Sequence, residues 1–557
     1  MIKIKKLQKK KGFTLVELLV VVAILAILSV ALLPSVLGYS DKARDTRAAK
    51  DIRNFTTVVE AFASANGNYP EASLDINNPD SIASVMQSKG INWTGSDDGV
   101  KDPWGNPYYY DLTDNDYYTI SSPGKNGILD DNDDICNIGG TVSKTKSGLN
   151  KNPAPSATPR NSSNDPGNEE PGEEYQAEVP DGYIGIYTPE QLASIGVDED
   201  YPLDGNYIVM KDLDLSGYEN WVPIGKEASP FTGTFDGNNY VIFNLTINPK
   251  PKGDFKGLFG YISETSEITN LGLENANITG RYRIGGLVGR NDGGTLTNCY
   301  AAGNITGNDY IGGLVGSNGG TITNCYATGK VTGGSETGGL VGVNSSTITD
   351  CYATAEVTGS SNIGGLVGRT YSSTYSSTIS ITNCYATGEV TGNYNIGGLA
   401  GFISNNNGRI NKSYATGSVT GYNENTGGLV GENYGIITDC YATGKVTGYN
   451  ENTGGLVGWN DEVIKNCYAT GSVTGGSDTG GLVGYDHYAT ITNSYYNSET
   501  TGQSDNDSRG MPLTTAEMKD SARFKKWDFN TVWGIDEGVS YPYLQTNEQI
   551  PHPGRLE

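Results

Sequence analysis

Residues 311–333 read IGGLVGSNGGTITNCYATGKVTG, and the chain returns to this phrase repeatedly. The first glycine of the Gly-Gly pair recurs at Gly285, Gly312, Gly338, Gly364, Gly397, Gly427, Gly454 and Gly480, at separations of 27, 26, 26, 33, 30, 27 and 26 residues. A degenerate copy, GLFG at 257–260 followed by ITNLGL, precedes these eight. Self-similarity at such a period marks a stacked repeat architecture. Each unit holds two or three short β-prone pieces broken by Gly and Asn, with no helical apolar period. Coils stacked about 4.8 Å apart form a β-solenoid, here expected to be all-β, of the right-handed type, with about nine coils and end caps. Nine coils make a rod roughly 40–45 Å long. The 33-residue spacing comes from YSSTYSSTIS after Thr370, expected to bulge as a loop.

Within the unit, Leu and Val of GGLVG and Ile of ITNCYA are the expected inward core, and the glycines allow tight corners and close packing of coils. Cys299, Cys325, Cys351, Cys384, Cys440 and Cys467 share one repeat position, with Ser413 and Ser494 replacing them in two copies. That exchange asks for a small side chain and predicts a buried thiol column. Disulfides or metal binding are weaker readings, because paired CxxC spacing is absent and β-carbons one rung apart exceed disulfide reach. A tyrosine column (Tyr300, Tyr326, Tyr352, Tyr385, Tyr414, Tyr441, Tyr468, Tyr495) reads as an aromatic ladder, with stacking on sugar rings as the alternative. Arg290, Ser317, Val343, Arg369, Phe402, Glu432, Trp459 and Tyr485 each follow the GLxG glycine of their rung. A position so variable in charge and size reads as an exposed recognition surface rather than a fixed active site.

The phrase resembles the GLUG motif of large bacterial surface proteins, among them IgA-specific metallopeptidases and adhesin-like chains. The resemblance covers about residues 180–545 and implies an array at 256–500 between an N-terminal cap at 179–255 and a C-terminal cap at 501–557. The helix-prone pieces PEQLASIG and TTAEMKDSARFKKW, with Trp527 and Trp533, are suitable lids for the apolar ends and unpaired strand edges.

At the other end, Met1–Gly12 carries six lysines and no acid, and residues 13–38 are almost wholly apolar, long enough to span a bilayer as a helix. Glu17 inside that run costs about 2.5–3.5 kcal/mol on insertion scales, and Pro34 should kink the helix. A plain signal or anchor needs neither residue. KKKGFTLVELLVVVAILAIL, through Pro34, resembles the prepilin N-terminus of type IV pilins and type II secretion pseudopilins. The resemblance implies a leader at 1–12, cleavage between Gly12 and Phe13 by a prepilin peptidase, and N-methylation of Phe13. It also implies pairing of Glu17 with a neighbouring subunit's terminal amine during assembly. Ile52, Phe55, Val58, Val59 and Phe62 keep helical spacing, so one helix is expected over 13–67.

Residues 68–140 are expected to form a small α+β head with two antiparallel strands, around Tyr108–Tyr110 and Tyr117–Ser121. DPWGNPY at 102–108, SPGKNG at 122–127 and Asp133-Asp134-Ile135 are similar to the major pseudopilin of type II secretion, a family that binds calcium in this loop. The resemblance places calcium on Asn126, Asp131, Asp133 and Asp134, with Asp130 and Asn132 as further oxygen donors. Asn126 stands where the family usually has Asp, which removes one charge; the alternative is a solvated acidic turn. Residues 141–178, rich in Pro, Ser, Asn and Glu, are expected to be a disordered tether.

A formal net charge of −25 repels nucleic acid. The two histidines, His487 and His552, leave no HExxH site and little material for a triad. The sequence therefore points to a non-enzymatic surface protein, a pilin-like mount displaying a ligand-binding rod. The alternatives are a structural pseudopilin with the solenoid as spacer, and a carbohydrate-active β-helix enzyme on a pilin stalk. Expected partners are the prepilin peptidase, other pilin or pseudopilin subunits, the inner-membrane assembly platform and a glycan or protein surface ligand. The expected location is a single membrane pass before assembly, then a pilus or pseudopilus with the bulk of the chain outside the cytoplasm.

Overall fold

The computed structural model describes parts of the first 144 residues between Ala48 and Lys144, then 179–248, 253–371, 379–404, 408–504 and 509–546. The chain divides into two compact units, Met1–Glu173 and Glu174–Glu557.

In the first unit, Ala48, Asp51, Ile52, Phe55, Val58, Val59 and Phe62 are helical. Ile52, Phe55 and Val59 are buried against Met86, Trp93, Tyr108, Tyr118 and Ile120, so the apolar stripe read from the sequence is the face that packs. The sheet has four antiparallel strands rather than two: Tyr109–Asp114, Tyr117–Ser122, Ile135–Ile138 and Thr141–Lys144, in that order. The last of these lies in the stretch expected to be tether, because Thr141–Lys144 finds ladder partners on Ile135–Ile138. Buried Asp102 fixes the turn of DPWGNPY, accepting from the Trp104 and Asn106 N–H groups at 3.0 and 2.8 Å and from Ser122 Oγ at 2.7 Å.

In the second unit each repeat makes one turn of a solenoid. One coil runs through Asp309–Gly312, Val315–Asn318, Thr321–Thr323 and Tyr326–Thr332. The four segments join parallel sheets of 8, 9, 12 and 18 strands. Register is kept residue for residue, with Val315 beside Val341, Ile322 beside Ile348 and Tyr326 beside Tyr352. Leu314, Val315, Ile322, Cys325 and Ala327 point inward and are buried, and one apolar core continues from Ile186 to Tyr496. Each fully buried aliphatic side chain contributes about 1.5–3 kcal/mol, so every rung adds its own stability.

Glycine acts mainly through close approach. A β-carbon on Gly313 would press on the carbonyl oxygen of Gly339 in the next coil and meet Ala327 Cβ at 2.8 Å. The corners are made instead by asparagine and its substitutes. The residue before each Cys or Ser of the column is left-handed, as in Asn298, Asn324, Asp350, Asn383 and Asn466, with φ between 52° and 55°.

Two expectations about the ends change. The region 179–255 supplies rungs of its own: Ile184–Ile186, Asn206–Val209 and Thr234–Asp236 continue the 12-stranded sheet. The solenoid therefore has about 11 turns instead of nine. These rungs lack the GGLVG phrase because Tyr207, Phe231 and Phe235 fill the core there. Pro189–Ser194 is helical as expected, started by a Thr188/Gln191 capping box.

The C-terminal segment covers the last coil only at its start, where Gly510 packs on Leu482. Met511–Leu513 adds a strand beside Tyr495–Asn497, and the following residues fold back along the flank of the solenoid. There Met518, Phe524, Trp527, Trp533, Tyr541 and Leu544 bury Tyr414, Tyr441, Tyr468 and Tyr495. Tyr468 Oη donates to the Pro542 carbonyl at 2.6 Å, and Trp527 Nε1 to that of Asn493 at 2.8 Å. TTAEMKDSARFKKW forms two 3₁₀ turns, Glu517–Lys519 and Ser521–Arg523, rather than a helix.

A candidate recognition face

The position after the GLxG glycine is the third residue of the strand typified by Val315–Asn318, between a buried Val-Gly pair and a buried Asn. Its side chain leaves the core, and in-register stacking turns it into a column: Tyr261, Arg290, Ser317, Val343, Arg369, Phe402, Glu432, Trp459, Tyr485. From Arg290 to Trp459 these residues are half-buried, and Tyr485 is exposed. The column expected from the sequence is therefore present and outward-facing.

Two further columns flank it. Two residues on come Asp292, Gly319, Ser345, Tyr371, Ser404, Tyr434, Asp461 and His487. Arg290 reaches Asp292 at 2.9 Å, and the Arg369 guanidinium lies 5.0 Å from the Phe402 ring centre and 5.6 Å from that of Tyr371. On the other side runs a left-handed column including Glu336, Asn362, Asn395, Asn425 and Asn452. Its amides form a ladder, each Nδ2 donating to the Oδ1 of the preceding rung at 2.7–2.8 Å from Asn395 to Asn452.

Carboxylates at this seam are shifted. Burial raises the pKa of Glu432 against lowering by hydrogen bonds with Tyr434, Asn395 and Asn425. Burial likewise raises Glu336, opposed by Arg369 at 3.7 Å. Burial and the Glu432 charge push Tyr434 up to about 12.

The aromatic side chains gather at the C-terminal end of the face. Ring centres are 5.6 Å apart for Phe402 and Tyr434, 4.9 Å for Tyr434 and Trp459, and 6.4 Å for Trp459 and Tyr485. His487 lies 5.7 Å from Trp459 and its Nδ1 is 2.6 Å from Asp461 Oδ1. Tyr434, Asp461 and His487 were missed by the sequence reading. Their signal was present at a fixed offset of two residues from the variable position.

The tyrosine column is a different object. From Tyr300 to Tyr468 successive rings stack at 4.8–5.0 Å with interplanar angles of 1–6°. Each internal ring has both faces occupied by its neighbours, so the column is a ladder and offers only ring edges to a ligand. The cysteines of the column are free thiols, all buried. Their role exceeds filling: the Cys299 N–H donates to Cys325 Sγ at 3.3 Å, and Cys325 Sγ donates to the Thr323 carbonyl at 3.2 Å. Ser413 Oγ takes over the acceptor role for the Cys384 N–H at 3.1 Å, so the column selects a small hydrogen-bonding side chain.

Gly12, Phe13 and Glu17 lie outside the described residues, as do Asn126, Asp131, Asp133 and Asp134. Among the described residues no group of three His, Cys, Asp or Glu could hold a metal ion, and no helix is long and apolar enough to cross a membrane.

A small α+β head and an in-register β-solenoid with a variable outer face define the chain as a pilin-like surface protein. Residues 7–33 match the prokaryotic N-terminal methylation motif, and residues 35–140 match type II secretion system (T2SS), protein G. The GLUG motif matches 280–306, 307–332, 333–358, 359–391, 422–447 and 449–474. The type II secretion system core protein G of Pseudomonas aeruginosa is 33% identical over 142 residues, covering 23% of this chain and 96% of that protein. Through this N-terminal part the chain belongs to the type II secretion system core protein G family. Its repeats are similar to halomucin of Haloquadratum walsbyi, 38% identical over 104 residues, which is 19% of this chain. The chain matches only 1% of halomucin's length. A solved IgA1 protease is 16% identical over 62% of this chain and 25% of its own, with a TM-score of 0.35, too low to bear on fold or activity.

Proposed function

We propose that this protein is a prepilin-type subunit that mounts a ligand-binding solenoid outside the membrane, for adhesion or capture, and that it is not an enzyme. The observation carrying this reading is the outer face. Its inward neighbours repeat almost unchanged from rung to rung, while the outward position runs through Arg, Ser, Val, Phe, Glu, Trp and Tyr. A spacer needs no such variety.

In this reading a prepilin peptidase cuts between Gly12 and Phe13 and methylates Phe13. The apolar helix holds the subunit in the membrane until Glu17 pairs with a neighbouring subunit's amine on the assembly platform. The methylation motif and the family support this processing and assembly with other pseudopilins. Calcium bound by Asn126, Asp131, Asp133 and Asp134 would steady the head. The test compares cells carrying the whole chain with cells whose chain lacks residues 174–557. Adherence to abiotic and cell surfaces that falls with the deletion, and immunogold label on surface fibres, are the expected results. Equal adherence would reduce the solenoid to a spacer.

A further inference from the structure

Resting on that reading, we propose that the rungs from Phe402 to Tyr485 form a platform for an uncharged polysaccharide chain. Phe402, Tyr434, Trp459 and Tyr485 would stack on sugar rings, with Glu432, Asp461 and the Asn395–Asn425 amides taking the hydroxyls.

The first argument is that these rings are not needed by the fold. They stand on the outer side of a sheet whose inner side is already filled by Leu429, Val430, Leu456 and Val457. Aromatic side chains left partly open to solvent lower solubility, and a contiguous set on an outer face marks an interaction site. Tyr485 is 38% exposed and the neighbouring Tyr488 is 96% exposed. The set is local: Ser317 and Val343 occupy the same column three and two rungs before Phe402.

The second argument is ring geometry. Rings of the tyrosine ladder lie parallel and cover one another. Phe402, Tyr434 and Trp459 instead meet at 41° and 46°, while Trp459 and Tyr485 lie within 15° of parallel but with centres 6.4 Å apart, wider than the 4.8–5.0 Å of the ladder. Rings that are splayed, or spaced more widely than the ladder, leave ring face open towards solvent, where the C–H face of a sugar can lie.

The third argument is what surrounds them. Along one edge Glu432 sits among the Asn395 and Asn425 amides; along the other Asp461 holds His487. Carboxylates and amides at the rim of aromatic rings match a ligand apolar on its faces and hydroxylated at its edges. Arg369 lies at the far end of the set, beyond Phe402, Arg509 is engaged with the Gly484 carbonyl, and the columns from Glu432 to Tyr485 themselves contain no Lys or Arg. With a chain charge of −25, acidic polymers are disfavoured. A protein partner would want roughly 800 Å² of complementary surface, more than one row of rings offers.

The experiment is affinity electrophoresis of the full chain, in a polyoxyethylene detergent, through gels containing hydroxyethylcellulose, galactomannan or laminarin, with polygalacturonate as the acidic comparison. At least one neutral polymer should retard the protein, and polygalacturonate should not. Trp459→Ala and Tyr485→Ala should each weaken that retardation about tenfold, and Trp459→Phe should keep most of it. Unchanged melting temperatures would show that the variants are folded. No retardation by any of the three neutral polymers, or equal retardation of both alanine variants, overturns the proposal. Adherence that depends on residues 174–557 but survives Trp459→Ala removes the glycan platform and leaves surface display standing. Adherence indifferent to residues 174–557 removes both.

Discussion

Replacing Trp533 by Ala should release the C-terminal arm from the solenoid without melting the solenoid itself. Trp533 has no exposed surface, stacks 4.3 Å from Trp527, and lies against Tyr441 and Tyr468 at 6.2 and 6.1 Å. A buried Trp removes about 150–250 Å² from water, worth about 4–6 kcal/mol at 25 cal/mol per Å². Measured Trp and Phe truncations cost about 3–5 kcal/mol, the more secure figure. Trp533 belongs to the cluster of the arm and the outer tyrosines, whereas Leu456 and Cys467 belong to the solenoid core. The loss should therefore fall on the arm. Native-state hydrogen exchange should show amides of 511–546 losing roughly 10²- to 10⁴-fold protection, while those of Val315–Asn318 and its stacked partners keep theirs. Trypsin should then cut first at Lys519, Arg523, Lys525 or Lys526. Unchanged protection in the arm, or equal loss throughout the solenoid, would refute the reasoning.

Three other substitutions probe the interior and the outer face. Cys351→Ser should be tolerated within about 1.5 kcal/mol, since Ser413 and Ser494 already serve at that position, whereas Cys351→Ala strands the Cys325 N–H and should cost about 1–3 kcal/mol by chemical denaturation. Glu432→Gln should raise the melting temperature at pH 7 and leave it unchanged at pH 4. The folded carboxyl is held above its ordinary range by burial, so its stabilising contribution is full below that range and is lost as pH rises through the raised value. Equal effects at both pH values would place the cause elsewhere.

The repeat core was legible because Leu314, Val315 and Ile322 are fixed apolar positions in a unit without helical period, a pattern that only stacking satisfies. The hydrogen bonding of the thiol column was not, because exchange of Cys for Ser speaks of size as readily as of polarity. The early rungs escaped notice because Tyr207, Phe231 and Phe235 fill the same core with a different alphabet. TTAEMKDSARFKKW has helix-forming residues, yet the Asp520 side chain takes the Ala522 N–H and Asp528 those of Asn530 and Thr531, so local turns win. Its placement on the tyrosines depends on contacts such as that between Tyr468 and Pro542, 74 residues apart, which no local pattern announces. The outer face was half legible: the variable column could be read from the period, but its union with Tyr434, Asp461 and His487 needed the register of the coils.

In-register stacking also makes length a heritable variable. Loss of residues 312–337 would join Ile311 to Gly338 in phase and set Leu287 beside Leu340, Asn291 beside Asn344, Cys299 beside Cys351 and Tyr300 beside Tyr352, each meeting the partner type it already has. Such an event, or its reverse, shortens or extends the reach by one pitch of about 4.8 Å. The arm grips the rungs of Tyr414 to Tyr495, which also carry all four platform rings. Recombination among the near-identical copies upstream would thus adjust how far the protein projects while carrying its terminal block along unaltered.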